Sequence, residues 1–457
     1  MQSRELRGLG RLAGLAIAGG VTLVEEMHGS IAGRAFGGAG AVAGPVRAVH
    51  DAVARGTYAV VRGTLSLAAT AAGGVAARTA AGDVALADHP TGGVALAVLN
   101  GGYGDLLERD VAELATTMGL RHRGRALAVE PEPLAAAYPG ATGRLAVFVH
   151  GLVGTERSWL LGAAKHHGDR RTSYGTLLRH DLGYTPVWLR YNTGLRVSRN
   201  GRALAELLER LVAAWPVPVT DVVLVGHSMG GLVVRSAVHQ AAHPDDGPPA
   251  RWVRLTRATV ALGTPHLGAP AEKAANVATH ALGLVGETRP LAALLALRSV
   301  GIKDLRFGNV VTADWQSHDP DALLRNTRTH VPLHHAGRHF AVVGTALGSH
   351  AHPAGSLLGD LLVRPRSAIG DTGREDRLAF PDTHVVRLAG LHHLDLLNHP
   401  RVYEHLRAWL AQPAGDPPGR PDRPDPVGEP SAAGLGRDGG DVAAKAPRPP
   451  QERPAAP

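Results

Sequence analysis

The sequence predicts an α/β protein: a mostly parallel sheet with flanking helices, preceded by an Ala-rich helical extension and followed by a disordered tail. Three observations carry this. From Leu145 onward, compact Val-rich runs alternate with amphipathic stretches, the pattern of parallel strands joined by crossover helices. Before about Gly140, apolar residues recur at helical spacing around Leu12 to Met27, Val46 to Val61 and Leu106 to Met118, and no strand-rich core is evident. Beyond Gln412 the chain consists of Pro, Gly, Asp, Arg and Ala with almost no large apolar side chains, so it cannot bury enough surface to order itself. The expected division is 1–140 as a helical N-terminal extension or cap, 141–412 as the α/β domain with a lid-like insertion at 270–337, and 413–457 as a disordered Pro-rich tail.

Within the α/β domain, strands are expected at Leu145 to Val149, Thr185 to Arg190, Asp221 to Val225, Ala258 to Gly263, His339 to Gly344 and His384 to Leu388. Asn200 to Trp215 reads as a helix carrying Leu204, Leu207, Leu208 and Leu211 on one face, ended by Pro216 and Pro218. Another helix follows Ser228, with Leu232, Val234 and Val238 on it. Pro270 to Pro332 is a long excursion between strands, helical in its first half, where a lid or substrate pocket commonly sits. No internal repeat is found.

Composition narrows the chemistry. The 457 residues include 58 Gly, only 4% aromatics and no cysteine, so disulfides, thiolate metal sites and cysteine nucleophiles are excluded. The formal charge of +8 comes from dispersed arginines, which reads as a solvated basic surface and not a nucleic-acid interface. Leu12 to Val24 and Gly63 to Ala77 are apolar, but each run is shorter than the ~20 residues a spanning helix needs. The first run, preceded by Arg4, Arg7 and Arg11, lacks a small-residue cleavage pattern. A cytoplasmic or membrane-associated location is therefore favoured over secretion. The N-terminal helices read either as a packing extension or as a face for peripheral membrane contact.

Gly226-His227-Ser228-Met229-Gly230 is the candidate active-site motif. In so Gly-rich a chain the pattern alone is weak. It gains weight from its setting, directly after Val222-Val223-Leu224-Val225 and directly before an apolar helical run. That is a nucleophile elbow, where a sharp strand-to-helix turn exposes a serine hydroxyl. Serine needs a base, and the base needs an acid that fixes its tautomer; the chain order in this arrangement is Ser, acid, His. The candidate acids are Asp360, Asp371, Asp382 and Glu375 or Asp376. Asp360, between the last two strands, is preferred. The base is His393, with His392 as the alternative, in the loop after the final strand. Two N–H donors must hold an oxyanion. Met229 supplies one, and Leu152 in His150-Gly151-Leu152-Val153-Gly154 the other, with Gly151, Gly226 and Gly230 as motif glycines that allow close backbone approach. His330, His334, His335 and His339 recur at near-helical spacing, but Pro332 and Gly337 break a continuous helix and no HExxH motif is present, so no metal site and no cofactor are expected.

The segments VFVHGLVGTE, GHSMGG, ALGTPHLGAP, GDLLVRPRSA and HHLDLLNHPRVYEHLRAWL, with RYNTGLRVSRNGRALAELLERL, resemble the lipase and GPI inositol-deacylase-like branch of bacterial α/β-hydrolases over roughly Leu145 to Leu410. The resemblance implies the α/β-hydrolase fold, Ser228, Asp360 and His393 as the triad, and Thr264 to Gly268 as a wall beside the nucleophile. The expected activity is that of a serine esterase or lipase forming an acyl-enzyme on Ser228, with a small-molecule or lipid ester as substrate. An acyltransferase would use the same residues with an alcohol as acceptor. A membrane-associated scaffold that keeps the fold without using it is the alternative from another class.

Overall fold

The structure is a computed structural model. It describes residues 1–38, 44–80, 82–284, 288–335, 337–347, 359–374 and 376–412. All of them lie in one compact unit, Met1–Gly415, and the predicted tail lies outside the described residues.

Eight strands form a single sheet: β1 (Gly119–His122), β2 (Arg125–Leu127), β3 (Arg144–Val149), β4 (Thr185–Arg190), β5 (Asp221–His227), β6 (Thr256–Leu262), β7 (Arg338–Thr345) and β8 (Val385–Ala389). Their spatial order is β2-β1-β4-β3-β5-β6-β7-β8. Strands β3 to β8 pair in parallel, while β1 pairs antiparallel with both β2 and β4. The six expected strands are all present. The short β1–β2 hairpin was not expected from the sequence, although the N-terminal segment holds no strand-rich core among the described residues. Its strands are too short for a period to show, and its two-residue turn is Arg123-Gly124, both at positive φ. Arginine is not a residue that advertises such a turn.

The central strands are buried on both faces, which is why they read as continuous Val runs and not as alternation. Val147, Val149, Val222 and Leu224 pack toward one layer. Their neighbours Ala146, Phe148, Val223 and Val225 pack toward the other. The helices, in chain order, are α1 (Ser3–Gly38), α2 (Gly44–Thr79), α3 (Pro90–Asp110), α4 (Pro131–Ala137), α5 (Ala163–His167), α6 (Tyr174–Leu182), α7 (Val197–Ala214), α8 (Met229–Ala242), α9 (Arg251–Arg254), α10 (Pro270–Gly283), α11 (Arg289–Ala296), α12 (Val300–Asp304), α13 (Pro365–Ala368) and α14 (Pro400–Ala411). Helices α7 and α8 cover the first layer, and α6 and α14 cover the second.

The third N-terminal helix lies earlier than the sequence suggests, ending at Asp110 and not Met118. Asn100 explains part of this. Its side chain donates to Leu114 O and accepts from Thr116 N at 2.9 and 2.8 Å, so the backbone of 112–116 is held outside the helix. Helices α1 and α2 are each 36 residues long, far beyond the apolar runs visible in the sequence. By length and composition both could cross a membrane.

The N-terminal segment is tied to the sheet through Arg190, whose buried ion pair with Glu156 leaves a further donor for Ala87 O. Arg190 on β4 donates to both carboxylate oxygens of Glu156, at 2.8 and 2.7 Å, and to Ala87 O. Both partners are almost fully buried. The insertion is pinned as well. Asp304 accepts from Arg196 at 2.6 Å and from the first amide of α7, Val197 N, at 2.9 Å. Glu272 of α10 bridges Arg298 and Arg306.

Candidate active site

The end of β5 and the start of α8 dictate the geometry around Ser228. The serine sits at φ 53°, ψ −126°, a left-handed backbone setting that costs a non-glycine residue on the order of 1–3 kcal/mol. Neighbouring glycines make the crossing fit. A Cβ on Gly226 would lie 2.6 Å from Gly231 Cα, and one on Gly230 would lie 2.2 Å from Val149 O. The strain thus holds the serine at the C-terminal edge of the parallel sheet, where strands of open α/β sheets present ligand-binding groups.

Asp360 and His393 come from the loops after β7 and β8. Asp360 Oδ2 lies 2.7 Å from His393 Nδ1, with the carboxylate 1% exposed and the imidazole 6%. The other carboxylate oxygen accepts from Leu362 N at 3.1 Å and Val363 N at 2.8 Å, an Asx-type turn that fixes the acid's orientation. His393 N also donates to Asp360 O at 3.0 Å. Gly263, at the end of β6 with φ +57°, leaves room for both groups: a Cβ there would lie 2.9 Å from Asp360 Oδ2 and 3.2 Å from His393 Cε1.

The other candidates lie elsewhere. His392 is half-exposed and pairs with Asp395 at 3.2 Å. Asp371 pairs with Arg366, Asp376 accepts from Thr372, and Asp382 sits in a 3-10 turn before β8. Glu375 lies outside the described residues.

The loop after β3 runs alongside the serine. A Cβ on Gly151 would stand 2.9 Å from Ser228 Cβ. Val153 is at φ 53°, and its amide donates to Thr193 Oγ1 at 3.2 Å. Met229 N is the first amide of α8, where a helix has no internal acceptor to offer. The helix dipole adds positive potential at the same place.

Three supports were not singled out from the sequence. His227 Nε2 contacts His393 O at 3.0 Å; burial holds its pKa well below the usual histidine value, so the ring is neutral and donates to that carbonyl. Tyr191 donates to His150 O at 2.7 Å and stacks on the His150 ring. Helix α3 reaches the same loop, since a Cβ on Gly101 would overlap Val153 Cγ1. The available signal was adjacency: His227 lies inside the elbow motif, and Tyr191 and Thr193 lie in RYNTG.

Thr264 to Gly268 sits behind the elbow. A Cβ on Gly231 would overlap Thr264 Oγ1, and Ser367 ties the segment down through Leu267 N and Gly268 O. His334, His335 and His339 line a cavity of about 340 Å³ beside α8 and β6, together with Arg235 and His266. His339 is held by Thr259 Oγ1 at 2.7 Å. Among the described residues no group of three or more His, Cys, Asp or Glu side chains is arranged to hold a metal ion.

Residues 140–331 match the family model of the PGAP1-like alpha/beta domain. No curated protein matches the chain. Among solved structures, the mature form of a lipase from Bacillus licheniformis aligns with 18% identity and a TM-score of 0.35, over 58% of this chain and 91% of that one. Lipase 1 from Pelosinus fermentans aligns with 14% identity and a TM-score of 0.35, over 59% and 98%. EstA from Clostridium botulinum aligns with 14% identity and a TM-score of 0.33, over 59% and 88%. Residues 140–331 thus match the PGAP1-like alpha/beta domain, and they lie on a mostly parallel eight-stranded sheet with flanking helices, the α/β-hydrolase fold.

Proposed function

We propose that this protein hydrolyses carboxylic esters through an acyl-enzyme on Ser228. The observation that carries the reading is the buried 2.7 Å contact between Asp360 and His393, in the loops beside a strained serine elbow. With its Nδ1–H directed at the carboxylate, the imidazole presents Nε2 as a base. It takes the Ser228 proton as Oγ attacks the ester carbonyl, and Asp360 stabilises the imidazolium. The Leu152 and Met229 amides hold the tetrahedral oxyanion. His393 then protonates the leaving alkoxide, which departs as an alcohol. Water, deprotonated by the same imidazole, attacks the acyl-enzyme, and the serine is released with the carboxylic acid. None of these steps calls on a cofactor.

A lipid ester is the favoured substrate. Val153, Leu361, Leu362 and Leu394, sequence neighbours of the oxyanion loop, the acid and the base, are each 43% to 62% exposed, apolar surface of the kind an acyl chain can cover.

The test is active-site labelling with a fluorophosphonate, followed by peptide mapping and a rate panel over short- to long-chain p-nitrophenyl esters. The expected adduct is on Ser228, and Ser228→Ala loses both labelling and turnover. An adduct elsewhere, or undiminished turnover in Ser228→Ala, would overturn the reading.

A further inference from the structure

Helices α1 and α2 pair as an antiparallel hairpin whose polarity is inverted relative to a water-soluble one. The seam holds the small and polar groups. Gly10 and Gly73 meet backbone to backbone, each leaving only about 2.6–2.7 Å for a Cβ before the other's Cα. Ser66 Oγ donates to Gly14 O at 2.8 Å. Arg62 donates to Thr22 Oγ1 at 3.1 Å and to Glu25 at 2.9 Å, and Tyr58 contacts His28. Large apolar side chains point outward instead: Leu15, Val24, Val53, Val60, Leu67 and Val75 are 49–71% exposed. Close approach through small residues, hydrogen bonds kept inside the seam and aliphatic chains outside is the packing logic of helices in lipid.

The charge pattern follows the same logic. The contacts Gly10–Gly73, Gly14–Ser66 and Arg62–Glu25 set the register, so the uncharged runs Leu12 to Val24 and Gly63 to Ala77 lie side by side. At the end nearest the α/β unit, Arg11 is bound to Glu113. With Glu25 and Arg62 neutralising each other inside the seam, the belt from Arg11 to the level of Arg55 measures roughly 27 Å at ~1.5 Å rise per residue, close to the ~30 Å hydrocarbon thickness of a bilayer. Glu26 is the outward-facing acid of that belt. It lies within a turn of the outer end, where a carboxyl reaches the interface at reduced cost.

We propose that α1 and α2 cross a lipid bilayer together as a helical hairpin that anchors the α/β unit to one membrane face. Helix α11, which packs beside α1, also carries exposed Leu291 and Leu294. This proposal does not rest on ester hydrolysis.

The absence of native cysteines permits a direct test in the full chain. Leu15→Cys and Leu67→Cys on the hairpin, and Val94→Cys on α3 as a control, are each labelled with an environment-sensitive fluorophore and reconstituted into phosphatidylcholine–phosphatidylglycerol vesicles with lipids brominated at known depths. The expected result is blue-shifted, bromine-quenched emission at positions 15 and 67, water-like emission at 94, and flotation with vesicles after high salt and alkaline carbonate. A Leu15→Glu, Leu67→Glu double variant with unchanged thermal unfolding should float at least ~10-fold less, because a carboxylate is costly at mid-membrane depth. Water-like emission at 15 and 67, release by salt or carbonate, or a soluble lipid-free dimer that shields both labels would each overturn the proposal.

Discussion

Asp360→Asn tests the proposed mechanism at one atom. In the native structure Oδ1 accepts from two backbone amides, Leu362 N and Val363 N, while Oδ2 faces His393 Nδ1 at 2.7 Å. An asparagine must keep its carbonyl on those two buried amides, because turning the NH₂ toward them would set donors against donors and leave both unpaired, at ~1–3 kcal/mol each. The NH₂ then faces His393 and forces Nδ1 to act as an acceptor. The proton moves to Nε2, the atom that must accept from Ser228. The side-chain volume is unchanged, so folding should survive while kcat falls by about 10⁴-fold, the loss seen when a triad holds the wrong tautomer. That loss corresponds to ~5.5 kcal/mol of transition-state stabilisation. Steady-state hydrolysis of p-nitrophenyl butyrate, with fluorophosphonate labelling to count folded sites, measures it. A loss of less than ~10-fold with an intact fold would refute Asp360 as the orienting acid.

Other outcomes follow from the same geometry. Gly263→Ala places a Cβ 2.9 Å from Asp360 Oδ2 at a positive φ, so it should destabilise by ~1–3 kcal/mol in urea unfolding and cut turnover at least ~10-fold. His392→Ala removes a half-exposed ring paired only with Asp395, and turnover should stay within about 2–3-fold of wild type; a large loss would reassign the base. Arg190→Met removes both hydrogen bonds to the buried Glu156 carboxylate and leaves it only the longer 3.9 Å ion pair with Arg121, with an expected cost of up to ~3–5 kcal/mol in urea unfolding. Stability should also fall with acid. Burial lowers His150 and His339 to about 4, below the unfolded value near 6.5, so the unfolded chain binds the extra protons. Their contribution is full above pH ~6.5 and is lost as pH falls from there toward ~4, by up to roughly 3 kcal/mol per ring. The urea midpoint should therefore be lower at pH 5 than at pH 7.5, and an unchanged midpoint would refute the burial argument.

The placement of GHSMG between a Val run and a helix was legible because it is local: a strand-to-helix turn needs its glycines within two residues of the serine. Strands β3 to β8 were legible for the same reason, since burial on both faces writes an unbroken apolar run into the sequence. The β1–β2 hairpin was not, because its short strands owe their existence to pairing with β4 and not to any period of their own. Nor was the partner of each histidine. His392 and His393 are adjacent in the chain, and only the loop after β7, arriving from 33 residues earlier in sequence, brings the second one to Asp360.

The N-terminal helices show the same division. Sequence alone determined that they are helical and Ala-rich, because helical periodicity is carried within each segment. It also fixed where their charges fall. Only the tertiary structure decided that the two uncharged runs lie side by side, with Arg62 closed on Glu25 inside the seam and the leucines and valines outside. It likewise decided that α3 braces the loop beside Ser228. The physical reason is that a residue's type sets what it would cost to bury, whereas the neighbours that meet that cost are chosen by chain segments far away in sequence.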